Sequence, residues 1–394
     1  MNPTSFESGS TATPAGRGLT RRAVLAAGVG TVAGLALAGA GVAAANAAPA
    51  TASSPWWAKL STRQQAGQRI IFSYPGATPP QSLFDAIAAG TVGGVIFFGE
   101  NIPSLATITS VVADLRAAAA SSPIKEPLLF MTDQEGGLIR RLSGQEPVLS
   151  ERNIGLAADP DAAATAAGAG AAAALRAVGM NLNLAPVMDV YRTPGNFDDQ
   201  FQRSYGQDPV IDGRLGAEFV TAQQGAGVAA TTKHFPGLGA ATAAQNTDLG
   251  SVVLTQSLDE LRGVDELAFV APIAAGTQLV MTSWALYPSI DPVYPAGLSS
   301  TIVQGELRDR LGFNGVTITD ALEAGAISSF GDTAATSLLS AQAGMDLLLC
   351  SVRDMQQGFD ALDSITAAVD DKTLNPGTFK QSLARVQALR SNLF

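Results

Sequence analysis

The sequence Asp133-Gln134-Glu135-Gly136-Gly137, followed by Arg140-Arg141, puts two carboxylates into a glycine turn with cations just beyond it. Lys233-His234 precedes Phe235-Pro236-Gly237, and Thr319-Asp320 precedes Ala321-Leu322. Carboxylate, ammonium and imidazole are the groups that attack carbon, move protons and grip polar substrates. Each set lies at the end of an apolar run without polar alternation, at 128–132, 228–233 and 316–319. Such runs read as strands buried on both faces, as parallel sheets require. Reactive groups of α/β enzymes sit at the C-terminal ends of such strands. A fourth run, 181–186, leads to Asp189 and to a loop carrying Gln202-Arg203-Ser204-Tyr205-Gly206. Each set also has a plain structural reading. Asp320 would cap a following helix, Asp133, Glu135 and the arginines would form a surface ion-pair cluster, and a lone histidine would pack in the core. Their shared position at one end of the strands favours chemistry.

Eight apolar runs set that position: 69–73, 94–98, 128–132, 181–186, 228–233, 279–283, 316–319 and 346–350. Helical stretches alternate with them at 81–89, 105–120, 161–178, 210–225, 258–274, 300–311 and 333–343, and a last pair spans 354–369 and 376–391. Eight β–α units predict an α/β fold, a TIM-like (β/α)8 barrel forming a single catalytic domain over residues 56–394.

Composition narrows the chemistry. The 394 residues carry a net charge of −10, which argues against nucleic acid and anionic membrane surfaces as partners. One histidine and one cysteine exclude a two-histidine metal site and an internal disulfide. No metal is expected, since the aspartates and the histidine lack ligand spacing. No nucleotide cofactor is expected either, because no glycine-rich phosphate loop follows the first strand. Cys350 reads as core packing. Residues 1–47 read as an export signal: Thr20-Arg21-Arg22 precedes an Ala/Gly-rich apolar stretch that exits at Ala45-Asn46-Ala47. Paired arginines before a weakly apolar core are similar to a twin-arginine signal, so the mature protein is expected outside the cell and free of the membrane. Residues 48–55 read as a flexible leader. A monomer is expected.

The four motifs together, Asp133-Gln134-Glu135-Gly136-Gly137 with Arg141, Gln202 to Gly206, Lys233 to Gly237 and Thr319 to Leu322, resemble glycoside hydrolase family 3. The nearest branch is that of single-domain bacterial β-N-acetylhexosaminidases. The resemblance implies a carbohydrate substrate and a retaining mechanism with a covalent glycosyl-enzyme intermediate. It implies that Asp320 is the nucleophile, that Asp133 hydrogen-bonds sugar hydroxyls, and that Arg141, Arg203, Lys233 and His234 are further sugar-binding residues. Lys233 and the arginines would depress the Asp320 pKa by opposite charge. One feature departs from the branch, whose acid/base is a histidine paired with an aspartate two residues earlier, on the loop after Lys-His-Phe-Pro-Gly. Here Asn246 and Ala244 occupy those two positions. With His234 committed to the sugar, Asp248 is the remaining ionisable side chain between Lys233 and Asp259. It is the candidate acid/base, against the alternative that it only pins its own Asn246-Thr247-Asp248 turn.

Overall fold

The computed structural model describes residues 55–394. The expected export signal and all but the last residue of the expected leader lie outside the described residues. Eight parallel strands form one sheet: β1 (Ile70–Phe72), β2 (Gly94–Ile96), β3 (Leu129–Thr132), β4 (Leu182–Asn183), β5 (Ala229–Phe235), β6 (Leu279–Thr282), β7 (Val316–Ile318) and β8 (Leu348–Leu349). Neighbours in the chain are neighbours in space, and β8 pairs back onto β1 through Ile70 opposite Leu348. A bridge between Ile318 and Leu347 joins the remaining edges, so the sheet closes into the expected barrel.

Closure explains why the strands read as unbroken apolar runs. Ile71, Ile96, Leu129, Met131, Leu182, Leu184, Leu279, Met281, Val316, Ile318, Leu347 and Leu349 pack together as the barrel interior. Their strand neighbours, such as Ile70, Phe72, Val95, Phe130 and Leu348, pack against the helices outside. Successive residues alternate faces, and both faces are dry. The same parity selects the site. Continuing 129, 131 and 316, 318 by one more step brings Asp133 and Asp320 to the inner side, above the last apolar layer.

The helices follow the expected stretches closely. Leu105–Ala120 and Thr333–Ala343 match at both ends, and Pro160–Ala177 is a true helix despite its alanine-rich sequence. Asp159 accepts from the Ala162 N–H and Asp332 from the Ala335 N–H, each supplying the oxygen that a first turn lacks. The stretch 258–274 is helical but widens to a π-wound turn over Leu261–Asp265, and Thr301–Arg310 is π-wound as well. Among the described residues no helix is long and apolar enough to cross a membrane.

Candidate active site

At the C-terminal ends of the strands a cavity of about 670 Å³ opens to solvent. Asp133, Arg141, Arg203, Lys233, His234, Asp248 and Asp320, all seven residues singled out in the sequence, line it. Glu135, Asn246, Glu323 and Arg353 line it too.

Strand β5 is the longest and carries Lys233 and His234 within its last three residues rather than beyond its end. Its pairing with β6 is irregular between Thr232 and Phe235, and both polar side chains line the cavity. Lys233 Nζ donates to Asp133 Oδ1 at 2.9 Å and lies 2.7 Å from Glu135 Oε1. Arg203, from the loop after β4, meets Glu135 with a two-pronged contact, Nε to Oε2 at 2.8 Å and Nη2 to Oε1 at 3.0 Å. Arg141 Nε stands 3.7 Å from Asp133 Oδ2. Arg140, by contrast, donates to the carbonyls of Gly137 and Gln145 and holds the turn. Burial alone would raise the Glu135 pKa, but the Arg203 and Lys233 charges hold it well below the usual carboxylate range. Asp133 is lowered in the same way by Lys233 and then Arg141, against its burial. Lys233 is held above its ordinary value by the two carboxylates, again against burial.

His234 Nδ1 sits 2.7 Å from Asp189 Oδ2, and its Nε2 lies 3.4 Å from Arg203 Nη2. Burial, then the Arg203 charge, pushes the imidazole down to about 4, so it is neutral at pH 7 with Nδ1–H donating to Asp189. Asp189 also accepts the Leu238 N–H at 2.6 Å. Asp198 Oδ1 accepts from Arg203 Nη1 at 3.1 Å. Asp189, Asp198 and His234 have the donor types that a divalent cation takes, yet Arg203 already supplies positive charge against two of them.

Asp320 departs from expectation in its electrostatics. Its Oδ1 accepts only the N–H of Ala321, and the next helix, Gly325–Phe330, begins without it. Asp320 is therefore not a helix cap. Burial pushes its pKa above the ordinary value, opposed by His234 and raised further by Asp248. The expected net depression is overturned: Lys233 does pull the pKa down, but burial, with the Asp248 charge beside it, outweighs that pull.

Asp248 is exposed at the mouth, on the loop after β5. The turn there is made by Asn246, whose Oδ1 accepts the Asp248 N–H at 2.8 Å. The Asp248 carboxylate thus does not make the turn. The loop is tied to the Asp320 segment by backbone: Gly325 N–H donates to Asp248 O at 2.9 Å, and Ala326 N–H to Thr247 O at 3.0 Å. A Cβ on Gly325 would come within 2.6 Å of the Leu249 carbonyl, so this close approach requires glycine.

Sequence reasoning gave no role to Glu135, Asp189 or Asp198. Glu135 and Asp189 stood inside motifs already quoted, and Asp198 lies five residues before Arg203. Glu323 is a carboxylate of another kind. Ser351 Oγ at 2.7 Å and Gln357 Nε2 at 3.1 Å hold it against the wall.

The model of the glycosyl hydrolase family 3 N-terminal domain matches residues 42–389. An uncharacterized secreted glycosyl hydrolase of Arthroderma benhamiae is 46% identical over 89% of this chain and 97% of its own. A β-hexosaminidase of Stenotrophomonas maltophilia is 33% identical over 76% of this chain and 87% of its own. Among solved structures, a family 3 β-N-acetylglucosaminidase from Paenibacillus is superposable with a TM-score of 0.79 at 34% identity. That match covers 84% of this chain and 62% of the Paenibacillus chain. With the barrel, the ring of strand-end charges and a family match over most of its length, this chain belongs to glycosyl hydrolase family 3, and its chemistry is that of a glycosidase.

Proposed function

We propose that the protein is an exported, retaining β-N-acetylhexosaminidase that acts on cell-wall or chitin-type glycans. The observation that carries the reading is the meeting of Asp320 with Asp133, Arg203, Lys233 and His234 around one cavity. The names of the Stenotrophomonas and Paenibacillus relatives supply the sugar class. The export assignment rests on residues 1–47 as a twin-arginine-type signal ahead of a short leader (48–55), and agrees with the secreted relative of Arthroderma. The domain 56–394 acts as a monomer.

In this mechanism Asp133, Arg203, Lys233 and His234 hold sugar hydroxyls, and Arg141 adds a cationic donor from the mouth. The Asp320 carboxylate attacks the anomeric carbon as the glycosidic C–O bond breaks, and Asp248 gives its proton to the leaving oxygen. Asp248 then takes a proton from water, whose oxygen attacks the anomeric carbon and releases Asp320. One water is consumed, and a free sugar and an alcohol leave. Asp248 is preferred to Glu323 because the Ser351 and Gln357 hydrogen bonds hold Glu323 as an acceptor. A fluorinated N-acetylglucosaminyl donor, followed by mass spectrometry of peptides, tests the nucleophile and the sugar together. A label on the peptide containing Asp320 is expected, and a label elsewhere or none refutes the covalent mechanism.

Ala244 and Asn246 favour a second reading, a sugar-binding protein whose catalysis is weak or lost. Saturable binding of N-acetylglucosamine without turnover of activated aryl glycosides would establish it. Transfer to phosphate instead of water would appear as phosphate-dependent turnover.

A further inference from the structure

Behind the sugar-facing side chains lies a second layer whose charges do not balance. Asp189 and Asp198 are both buried, with 1% and 0% of their surfaces exposed. One atom each from Asp189, Asp198 and His234 lie within 4.8 Å of one another. Asp189 accepts from the N–H groups of Leu238 and His234 at Oδ1 and from His234 Nδ1–H at Oδ2, which leaves Oδ2 able to accept one more donor. Asp198 uses Oδ1 on Arg203, while its Oδ2 is buried without a hydrogen-bond partner. Among the described residues the one side-chain cation that touches this pair is Arg203, through Nη1 on Asp198 alone, while its Nε and Nη2 are on Glu135.

Two carboxylates this close in a dry site cannot both stay ionised, and an orphaned buried oxygen is where a proton resolves the conflict. We infer that Asp198 is a proton-bearing positioning residue, whose Oδ2–H donates to Asp189 and whose Oδ1 accepts from Arg203. Asp198 thereby locks His234 as the neutral Nδ1–H form and leaves Arg203 aligned beside it. Neutral Asp198 bonds both neighbours at once, whereas ionised Asp198 repels Asp189 and competes with Glu135 for the guanidinium. Consistent with this, burial and then the Asp189 charge push Asp198 up to about 7. The other charged groups facing the pair are Glu135, with Lys233 behind it, and Asp265, which is paired with Arg192 at 2.6 Å. Tyr287 is neutral, its phenol raised by burial. None of these supplies a spare cation to Asp198.

The expected consequence for the proposed sugar site is a loss of sugar affinity as pH rises through 7. That consequence rests on the glycosidase reading, but the proton on Asp198 does not. The chain has one histidine, so its ring Cε1–H resonance is an unambiguous reporter inside this layer. In the wild-type protein that resonance should keep the neutral-imidazole position from pH 5 to 9, with one small inflection near pH 7 as Asp198 ionises beside it. Asp198→Asn retains a donor to Asp189 and an acceptor for Arg203, and should abolish the inflection while keeping N-acetylglucosamine affinity at pH 6 within about threefold. Asp198→Ala should weaken that affinity by about 10- to 100-fold, since it leaves an Arg203 donor and an Asp189 acceptor buried without a partner. An inflection near pH 7 that survives in Asp198→Asn overturns the inference. So does an imidazole that is itself protonated at pH 6, or Asp198→Asn losing as much affinity as Asp198→Ala. If no N-acetylglucosamine binds to any form, the sugar assignment falls, and the resonance alone decides the place of the proton.

Discussion

The barrel buries a charge cluster at each end, and the two are built differently. At the N-terminal end, Asp346 Oδ1 accepts from Arg385 at 2.8 Å, and Oδ2 accepts from Arg308 at 2.8 Å, Arg385 at 2.9 Å and the Thr317 N–H at 3.0 Å. Arg69 closes the floor by donating to the carbonyls of Met345 and Asp346. Every oxygen of that carboxylate is occupied, and Asp346 does not line the cavity. At the C-terminal end Asp133 and Glu135 are paired through Lys233 and Arg203, but Asp320 receives one backbone N–H and otherwise faces open space. Opposite pKa directions follow. The arginines hold Asp346 below the ordinary range against its burial, whereas burial raises Asp320. A buried carboxylate with a full complement of donors is structural. One left short of partners, beside an opening, is free to meet a ligand.

The sharpest way to break this contrast is Asp320→Ala. It should lower kcat by roughly 10⁴- to 10⁶-fold, the range seen when a nucleophile-type group is removed, while the melting temperature does not fall. Activity near wild type, or a collapse of stability, would erase the distinction between the ends. Asp248→Asn probes the exposed loop that neither cluster reaches. It should cost about 10²- to 10⁴-fold on unactivated glycosides and far less on aryl glycosides with good leaving groups. Equal losses on both would remove Asp248 from proton delivery.

Asp346→Ala should do the reverse of Asp320→Ala, with a loss of about 3–5 kcal/mol in denaturant unfolding and unchanged sugar affinity in the folded fraction. The pH sign follows from the lowered pKa. The Asp346 contribution is full above the ordinary carboxylate pKa and fades as pH falls through the depressed native value, as do those of Asp133 and Glu135. Lys233, raised in the fold, contributes fully below its ordinary value and loses that share as pH climbs through the native one. Acid unfolding curves of wild type and Asp346→Ala should therefore converge at low pH. The smallest effect is expected from Gly325→Ala. Its Cβ displaces the Leu249 carbonyl and so shifts Asp248 against Asp320. A fall of about tenfold in kcat with little change in KM is expected, since even 1 Å of misplacement is costly.

Much of this was open to reading along the chain. All eight strands, the two helices matching at both ends, and Asp133, Lys233, His234 and Asp320 at strand ends depend on local pattern, while Arg141, Arg203 and Asp248 came from the family resemblance. Apolar runs predict doubly buried strands, and a polar residue one step past the run, in phase with the inner face, must emerge at the barrel mouth. The same reasoning missed what local pattern does not encode. Nothing adjacent to Asp346 marks its carboxylate as the anchor of Arg308 and Arg385, with Arg69 on its carbonyl, because these arginines lie on distant segments that meet it only in the closed barrel. The direction of the Asp320 shift differs from expectation for a related reason, since counting nearby cations says nothing about how deeply the fold buries the carboxylate they face.

By itself the sequence determined the barrel, the end at which its cavity opens, and the strand-end side chains that reach it. These follow from alternation and strand order, properties of neighbours in the chain. Only the tertiary structure decided the pairings: Glu135 with Arg203 across 68 residues, His234 with Asp189 across 45, and the Asp248 loop with Gly325. The physical reason is that an ion pair or a shared proton depends on distance and dryness. Both are set by how the closed barrel brings separate loops together, and not by the order of residues within any one of them.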